Sequence, residues 1–256
     1  MLCCSLNSGS NGNCIYVEAE GVRLLFDAGI SGRQAAGRLA THGRDIRAVD
    51  AVIVSHDHAD HARCAGIYAR LFNLPIYMTP LTHQAAQQSC NVGQIADLRH
   101  FRAGQALHIG QVSIEAVATP HDAAEPVAFV VSAKRRRLGI LTDLGCVFDA
   151  LPGIIAGLDA LYLESNYDPD MLESGPYPPY LKRRIAGRHG HLSNFEAAEL
   201  VLRHAHDRLQ WVSLAHLSEV NNTPDLARRT HHDIVGPRRA VYVSDRYAAS
   251  SILQVE

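Results

Sequence analysis

The chain lacks any CxxC pair among its six cysteines, Cys3, Cys4, Cys14, Cys64, Cys90 and Cys146. Their spacings fit neither a zinc ribbon nor a small disulfide-stapled scaffold, so reduced thiols are expected. No apolar run approaches the roughly 20 residues that cross a bilayer, and no membrane partner is expected. The opening MLCCSLNSGSNGN has no basic segment followed by a long apolar one. A signal peptide is therefore not read there, and a cytoplasmic location is expected. A dominant charge is missing too: 24 Lys and Arg stand against 26 Asp and Glu. Any basic footprint for nucleic acid must then be local. Only 20 % of the 256 residues are charged, which argues against extended disorder. Long linkers, low-complexity blocks and repeats are absent, so one domain over residues 1–256 is expected.

What the sequence has in quantity is apolar residues, 47 %, enough for a full-sized core, and 15 histidines. The histidine load hints at metal binding or proton transfer. CIYVEA and VRLLFDAG read as strands around a Glu20-Gly21 turn. Ser31 can cap a helix over GRQAAGRLATHG. AVDAVIVS reads as a strand buried on both faces, and ARCAGIYARLF as one helix. LPIYMT, QVSIEAVATP, PVAFVVSA, RLGILTD, GLDALYLESN, LQWVSLAHLS and RAVYVSD are strand-like, while PLTHQAAQQS reads as a short helix. SNFEAAELVLRHAHD is a helix with a Ser193/Glu196 capping box and Phe195, Ala198, Leu202 and Ala205 on one face. Strands alternating with helices in two comparable halves predict an α/β (α+β) fold, a sheet core covered by helices.

The densest chemistry is VSHDHADH, residues 54–61, directly after the AVDAVIVS strand. In extended chain, residues two apart point the same way, so His56 and His58 can grip one cation. Asp60 and His61 follow as the chain turns into a helix and face elsewhere, so one loop can feed two neighbouring metals. Imidazole mixed with carboxylate suits zinc, manganese or iron. An isolated histidine would read as a surface residue; the HxHxDH order after a buried strand points to metal. Further ligand types end other strands: His121 in VATPHDAAEP, Asp143 in LGILTDLG and His216 in VSLAHLS. Each alone reads as a turn or cap residue, and Asp143 as a helix cap. Their repetition, strand then ligand then loop, predicts a shared rim, where a carboxylate can bridge two cations.

This ligand series, HxHxDH followed by a lone histidine, an aspartate and a last histidine, resembles the metallo-β-lactamase superfamily. The resemblance implies an αββα four-layer sandwich with its metals at one edge. It assigns His56, His58 and His121 to one metal, Asp60, His61 and His216 to the other, and Asp143 to the bridge. SLNSGSNGN, LLFDAG, HDAAEP, ESNYDPDMLESGPYP, LKRRIAGRHGHLSN and AHLSEVNN together resemble the YycJ/WalJ-like branch, bacterial metallohydrolases linked to 5′-to-3′ DNA exonuclease activity. Asp57 departs from the glutamate of that branch, at a position that carries no ligand. The implied cofactors are two divalent metal ions, zinc or manganese, and the implied partner is DNA with a 5′ phosphate.

The expected reaction is phosphodiester hydrolysis by a hydroxide between two cations, with Asp60 and Asp143 among the catalytic groups. His191 in GHLSN, just ahead of the helix capped by Ser193, corresponds to a histidine that contacts phosphate or protonates the leaving oxygen in superfamily phosphodiesterases. Its bland reading is a helix-start histidine facing water. Lys182, Arg183 and Arg184, with Arg188, lie beside it and can track a nucleic-acid backbone. A second run, Lys134 to Arg137, falls in a hairpin turn and reads as a solvated face. The loop NSGSNGN, residues 7–13, either cradles a terminal phosphate on open N–H groups or is a plain turn. The resemblance makes Ser8, Ser10 and Asn11 its contacts. Asp27 is expected to orient a metal ligand. Asn222, with Asn221, is read as shaping the substrate mouth or forming a turn. A lactonase or glyoxalase II-type thioesterase is the enzymatic rival, and a metal-bound interaction module the non-enzymatic one.

Overall fold

A computed structural model describes residues 1–237 and 239–256. The strands run Leu2–Asn7 (β1), Cys14–Ala19 (β2), Val22–Phe26 (β3), Ala51–Ile53 (β4), Ile76–Met78 (β5) and Leu98–His100 (β6). They continue with Ala106–Ile109 (β7), Val112–Ala118 (β8), Val127–Ala133 (β9), Arg136–Leu141 (β10), Ala160–Glu164 (β11), Trp211–Ala215 (β12), Ala240–Val243 (β13) and Leu253–Gln254 (β14). One sheet is ordered β14-β1-β2-β3-β4-β5-β6 and the other β13-β12-β11-β10-β9-β8-β7. Each is antiparallel where hairpins join the strands and parallel elsewhere, except that β14 returns antiparallel to β1 at the edge of the first sheet. The Glu20-Gly21 turn takes φ of 51° and 78°, the left-handed backbone that tight hairpins require.

Helices cover both outer faces. Gly32–Ala40 (α1), Ala59–Ala62 (α2), Ala65–Phe72 (α3) and Pro80–Cys90 (α4) belong to the first half. Leu151–Ala156 (α5), Pro169–Ser174 (α6), Pro179–Ile185 (α7), Asn194–His204 (α8) and Pro224–Val235 (α9) belong to the second. Three apolar clusters separate the layers. The central one joins inner faces of both sheets, with Phe26 against Phe129 at 5.1 Å between ring centroids. Truncating Phe129 to Ala there costs about 3–5 kcal/mol, by lost burial plus the cavity left behind. A second packs Leu25 and Val52 against Leu39 and Tyr68, and a third packs Leu161 and Leu214 against Leu151, Ala197 and Val201. The order helix, sheet, sheet, helix is the expected αββα sandwich.

Two local expectations need correction. ARCAGIYARLF is not one helix: the chain breaks at Cys64 between α2 and α3. There the Cys64 N–H turns to the Ala28 carbonyl at 2.9 Å, and the Arg63 guanidinium to the Gly29 carbonyl at 2.7 Å. In α8 the capping box is present, but Phe195 and Leu202 are about half exposed. The inward row is Asn194, Ala197, Ala198 and Val201. Asn194 belongs inside because its amide meets the Ser165 hydroxyl at 2.6 Å and Asn222 at 3.0 Å. A polar residue at an inward position hid the true stripe.

Candidate metal centre

Parallel pairing builds one wall of the centre. In the second sheet Leu141, Leu163 and Leu214 lie side by side across β10, β11 and β12. Carried two residues further, that row reads Asp143, Ser165, His216, so two ligand-type side chains leave the ends of β10 and β12, on either side of β11, at one level. Asp143 and His216 leave with φ of 54° and 56°. Asp27, past β3 in the other sheet, does so at 66°. Left-handed backbone is uncommon outside glycine, though Asp and His tolerate it better than most, and it concentrates at functional sites.

The loop after β4 forms the opposite wall. His56, His58 and His121 bring ligand atoms within 4.8 Å of one another, and so do Asp60, His61 and His216. The two triads share no residue. Asp143 touches both: its Oδ2 lies 3.2 Å from His61 Nε2, and its Oδ1 3.5 Å from His216 Nε2 and 3.6 Å from His121 Nε2. His56 Nε2 and Asp143 Oδ2 are buried without a hydrogen-bond partner. Buried polar atoms left unpaired are costly, and a cation between them removes the cost. The nitrogen and oxygen donor set therefore fits divalent metal ions.

Each histidine is oriented from behind, as metal-binding imidazoles are. His61 Nδ1–H donates to Asp27 Oδ2 at 2.7 Å, while Asp27 Oδ1 accepts from the Ser55 N–H at 2.8 Å. His56 Nδ1 meets Ser55 Oγ at 2.9 Å, and His121 Nδ1–H donates to the Gly190 carbonyl at 2.8 Å. His216 has a weaker brace, the Asn166 amide at 3.1 Å from Nδ1 and 2.8 Å from its carbonyl oxygen. Asn13 closes the cluster, its Nδ2 at 2.9 Å from His61 Nε2.

The electrostatics follow from crowding without solvent. Burial and the neighbouring His61 push His56 well below the usual imidazole range. Burial would do the same to His61, but Asp143, Asp27 and Asp60 outweigh it and hold that ring well above. Burial acts to raise Asp143, and His216 and His61 overcome it, keeping the carboxylate charged. Asp60 behaves alike, with His61 and His216 overcoming burial. Imidazole rings and carboxylates drawn together in this way favour a bound positive charge.

His191 sits beside this group, its ring centroid 5.2 Å from that of His216 and stacked on it. The residue that explains it escaped the sequence reading. Glu164, fully buried at the end of β11, takes the His191 Nδ1–H at 2.5 Å on Oε1. Its Oε2 accepts from the N–H groups of Leu144 at 3.1 Å and Leu192 at 3.3 Å. A carboxylate accepts only, so His191 keeps its proton on Nδ1 and presents Nε2 outward. Burial opposes protonation of this ring, and Glu164 with Asp143 and Asp60 overrides it, raising its pKa. The signal was available: Glu164 ends a buried strand, as Asp143 and His216 follow theirs. Asp122 was also missed, its Oδ1 at 3.6 Å from His121 Nε2 and 3.7 Å from His58 Nε2.

A cavity of about 150 Å³ opens onto the centre, and Ser10, Asp60, Asp143, His191, His216, Asp122, Arg184 and Ile185 are among the residues that line it. Arg184 Nε pairs with Asp122 Oδ2 at 2.6 Å. Other expected substrate contacts are placed differently. Ser8 is buried, and its hydroxyl accepts the His216 N–H at 2.7 Å. Asn222 is buried, donating to the Ser165 and Asn166 carbonyls at 2.9 and 3.1 Å and accepting the Thr223 N–H at 2.9 Å. Both brace the fold behind the ligands. The loop of residues 7–13 is not an open cradle over its length: the N–H groups of Ser8, Gly9, Gly12 and Asn13 bond within the protein. Asn11 donates to the Arg246 carbonyl at 3.1 Å, and Lys182 Nζ to the Glu173 carbonyl at 2.5 Å. Arg183 is exposed on α7, and Lys134 to Arg137 lie at the β9–β10 turn, remote in the fold from the ligand ends of these strands. Asp57, the departure from the branch pattern, takes the Ala124 N–H at 2.9 Å and ties the ligand loop to the turn after β8.

A fold of this layering with paired His and Asp triads at the sheet ends defines a metallohydrolase, and residues 22–212 match the family model described as "Beta-lactamase superfamily domain". The chain belongs to the metallo-β-lactamase superfamily. It is 36 % identical over 227 residues, 88 % of this chain and 84 % of the relative, to a Streptococcus pneumoniae protein named exodeoxyribonuclease WalJ. Identity is also 36 % over 225 residues, 87 % of this chain and 84 % of the relative, to exodeoxyribonuclease YycJ of Bacillus anthracis. The solved structure of Zn²⁺-bound PqqB from Methylobacterium extorquens superposes with a TM-score of 0.74 at 18 % identity, covering 98 % of this chain and 100 % of that one. The resemblance read from the motifs is thereby borne out for family, branch and fold. Among the described residues no helix is long and apolar enough to cross a membrane.

Proposed function

We propose that this chain is a 5′-to-3′ DNA exonuclease with two divalent ions, zinc or manganese, in one shared pocket. The observation that carries the reading is the pair of disjoint donor triads joined by Asp143, facing a histidine clamped by a buried glutamate. The 36 % identity to chains named exodeoxyribonuclease supports DNA as the substrate. His56, His58 and His121 would hold one ion, Asp60, His61 and His216 the other, with Asp143 between. When bound, such ions lower the pKa of water and neutralise charge building up on phosphorus.

The side chains do the rest. Arg184 exchanges Asp122 for an incoming phosphodiester, whose two free oxygens suit its planar fork. Ser10, which also lines the cavity, receives the 5′ phosphate. Water attacks the phosphorus between the first and second nucleotides, and the P–O3′ bond breaks. His191 Nε2–H gives its proton to the departing O3′, while Glu164 fixes the ring through Nδ1. Both products carry a 5′ phosphate, so the shortened strand presents the same end again. The His191–Glu164 pair also weighs against a thioesterase, whose thiolate leaves without protonation because its pKa is about 8.5. An alkoxide does not.

The test is a 3′-labelled oligonucleotide with a 5′ phosphate, incubated with zinc- or manganese-loaded protein beside a lactone and a thioester. Stepwise loss from the 5′ end, slower on a 5′-hydroxyl strand, is expected. Loss from the 3′ end, or turnover of the lactone or thioester alone, overturns the reading.

A further inference from the structure

Helix α7 has no buried residue, unlike α1, α3, α4 and α8, which turn apolar residues inward. Its sequence, PYLKRRI, nonetheless carries a tyrosine, and Tyr180 is 68 % exposed. A ring so placed adds nothing to the core. Tyr180, Arg183 and Arg184 stand at helical spacings of three and four and so share one face. Tyr180 is about 6 Å along the axis from Arg184, four residues at 1.5 Å each.

That face is continuous with the catalytic cavity. Arg184 and Ile185 line the cavity, and Arg184 pairs with Asp122 beside His58 and His121. The Ile185 carbonyl accepts the His191 N–H at 2.9 Å. Gly190 makes the approach possible: a Cβ there would lie 2.1 Å from the Ile185 carbonyl oxygen. The helix carrying the exposed ring is thus anchored to the candidate proton donor.

An aromatic face next to two guanidinium groups matches a single strand, whose bases are free to stack and whose phosphates are evenly spaced. Paired bases in a duplex are already stacked and offer no free face. We propose that the outer face of α7 binds single-stranded DNA, the Tyr180 ring stacking a base while Arg183 and Arg184 hold flanking phosphates. This rests on the nuclease reading and adds to it the form of the substrate and a residue that feeds the strand to the cavity.

The experiment measures binding of a fluorescein-labelled single-stranded oligonucleotide by anisotropy, in EDTA so that no turnover occurs. Tyr180→Ala should weaken binding about 5- to 100-fold, the value of one base–aromatic stack. Tyr180→Phe, which keeps the ring, should bind as the parent does. On an abasic strand of equal length the parent and Tyr180→Ala should bind alike, since no base is present to stack. Equal affinity of parent and Tyr180→Ala for the normal strand, or an equal loss on the abasic one, overturns the inference. Failure of the nuclease reading shows separately, as absence of DNA shortening by the metal-loaded parent.

Discussion

The loop after β4 and the strand ends of the second sheet bring the same donors to one pocket by different means. The loop compresses His56, His58, Asp60 and His61 into six residues, and local backbone geometry divides them between two triads. The second sheet supplies one side chain per strand: His121 after β8, Asp143 after β10, Glu164 at the end of β11 and His216 after β12. Their assembly depends on register over long sequence separations. The orienting groups differ as well. A charged carboxylate, Asp27, backs His61, while a neutral amide, Asn166, backs His216. A compact loop sets its geometry locally, whereas strand-end ligands inherit theirs from the whole sheet. Asp143 is where the two meet.

The largest effect should come from cutting that junction. Asp143→Ala removes the carboxylate that contacts both triads and should abolish bound metal and hydrolysis together. Full turnover with metal retained would break the account of a shared centre. Next is His191→Ala, which should lower turnover about 10²–10⁴-fold, the usual worth of a general acid. Metal content should be unchanged; loss of metal would make His191 a ligand instead. Glu164→Gln keeps the shape and removes the charge, so it should cost less than His191→Ala.

The orienting groups give a finer comparison. Asp27→Ala should weaken metal affinity about 10- to 100-fold, as removal of such partners does. Asn166→Ala should cost less, because its contact with the ring is longer and uncharged. Equal losses, measured by competition with a chelator, would erase the contrast drawn between the two walls. Smallest is the charge-reversed double variant Arg183→Glu with Arg184→Glu. It should lower the slope of log K against log salt by about 1–2 units for a single strand. The same change at Arg135 and Arg136 should leave the slope alone, and an equal change there would remove α7 from the binding surface.

Legibility in the sequence follows the same division. HxHxDH was plain because its four donor residues fall within six positions directly after a buried strand. His121, Asp143 and His216 were single letters, readable only as a repeated pattern and then through a family resemblance. Glu164 and Asn166 went unread because ALYLESN looks like a strand running into a turn, and their roles arise from neighbours 27 and 50 residues away. Ser8 was read as a phosphate contact through the family resemblance, and Asn222 as shaping the substrate mouth or forming a turn; their burial, Ser8 against His216 and Asn222 against Ser165 and Asn166, appears only when both sheets are in place. The α8 face was misread for the converse reason, since Asn194 is polar and lies inside. Alternation and capping signals located most strands but left the helices α5, α6, α7 and α9 unread, while the break at Cys64 reflects a bond to Ala28 that no local pattern contains.

The most direct measurement is the metal content of protein prepared without chelator, read by elemental analysis and by anomalous scattering from crystals. Two divalent ions per chain, flanking the Asp143 carboxylate and removed together by Asp143→Ala, are predicted. A metal-free chain that still shortens DNA at its full rate would contradict the account.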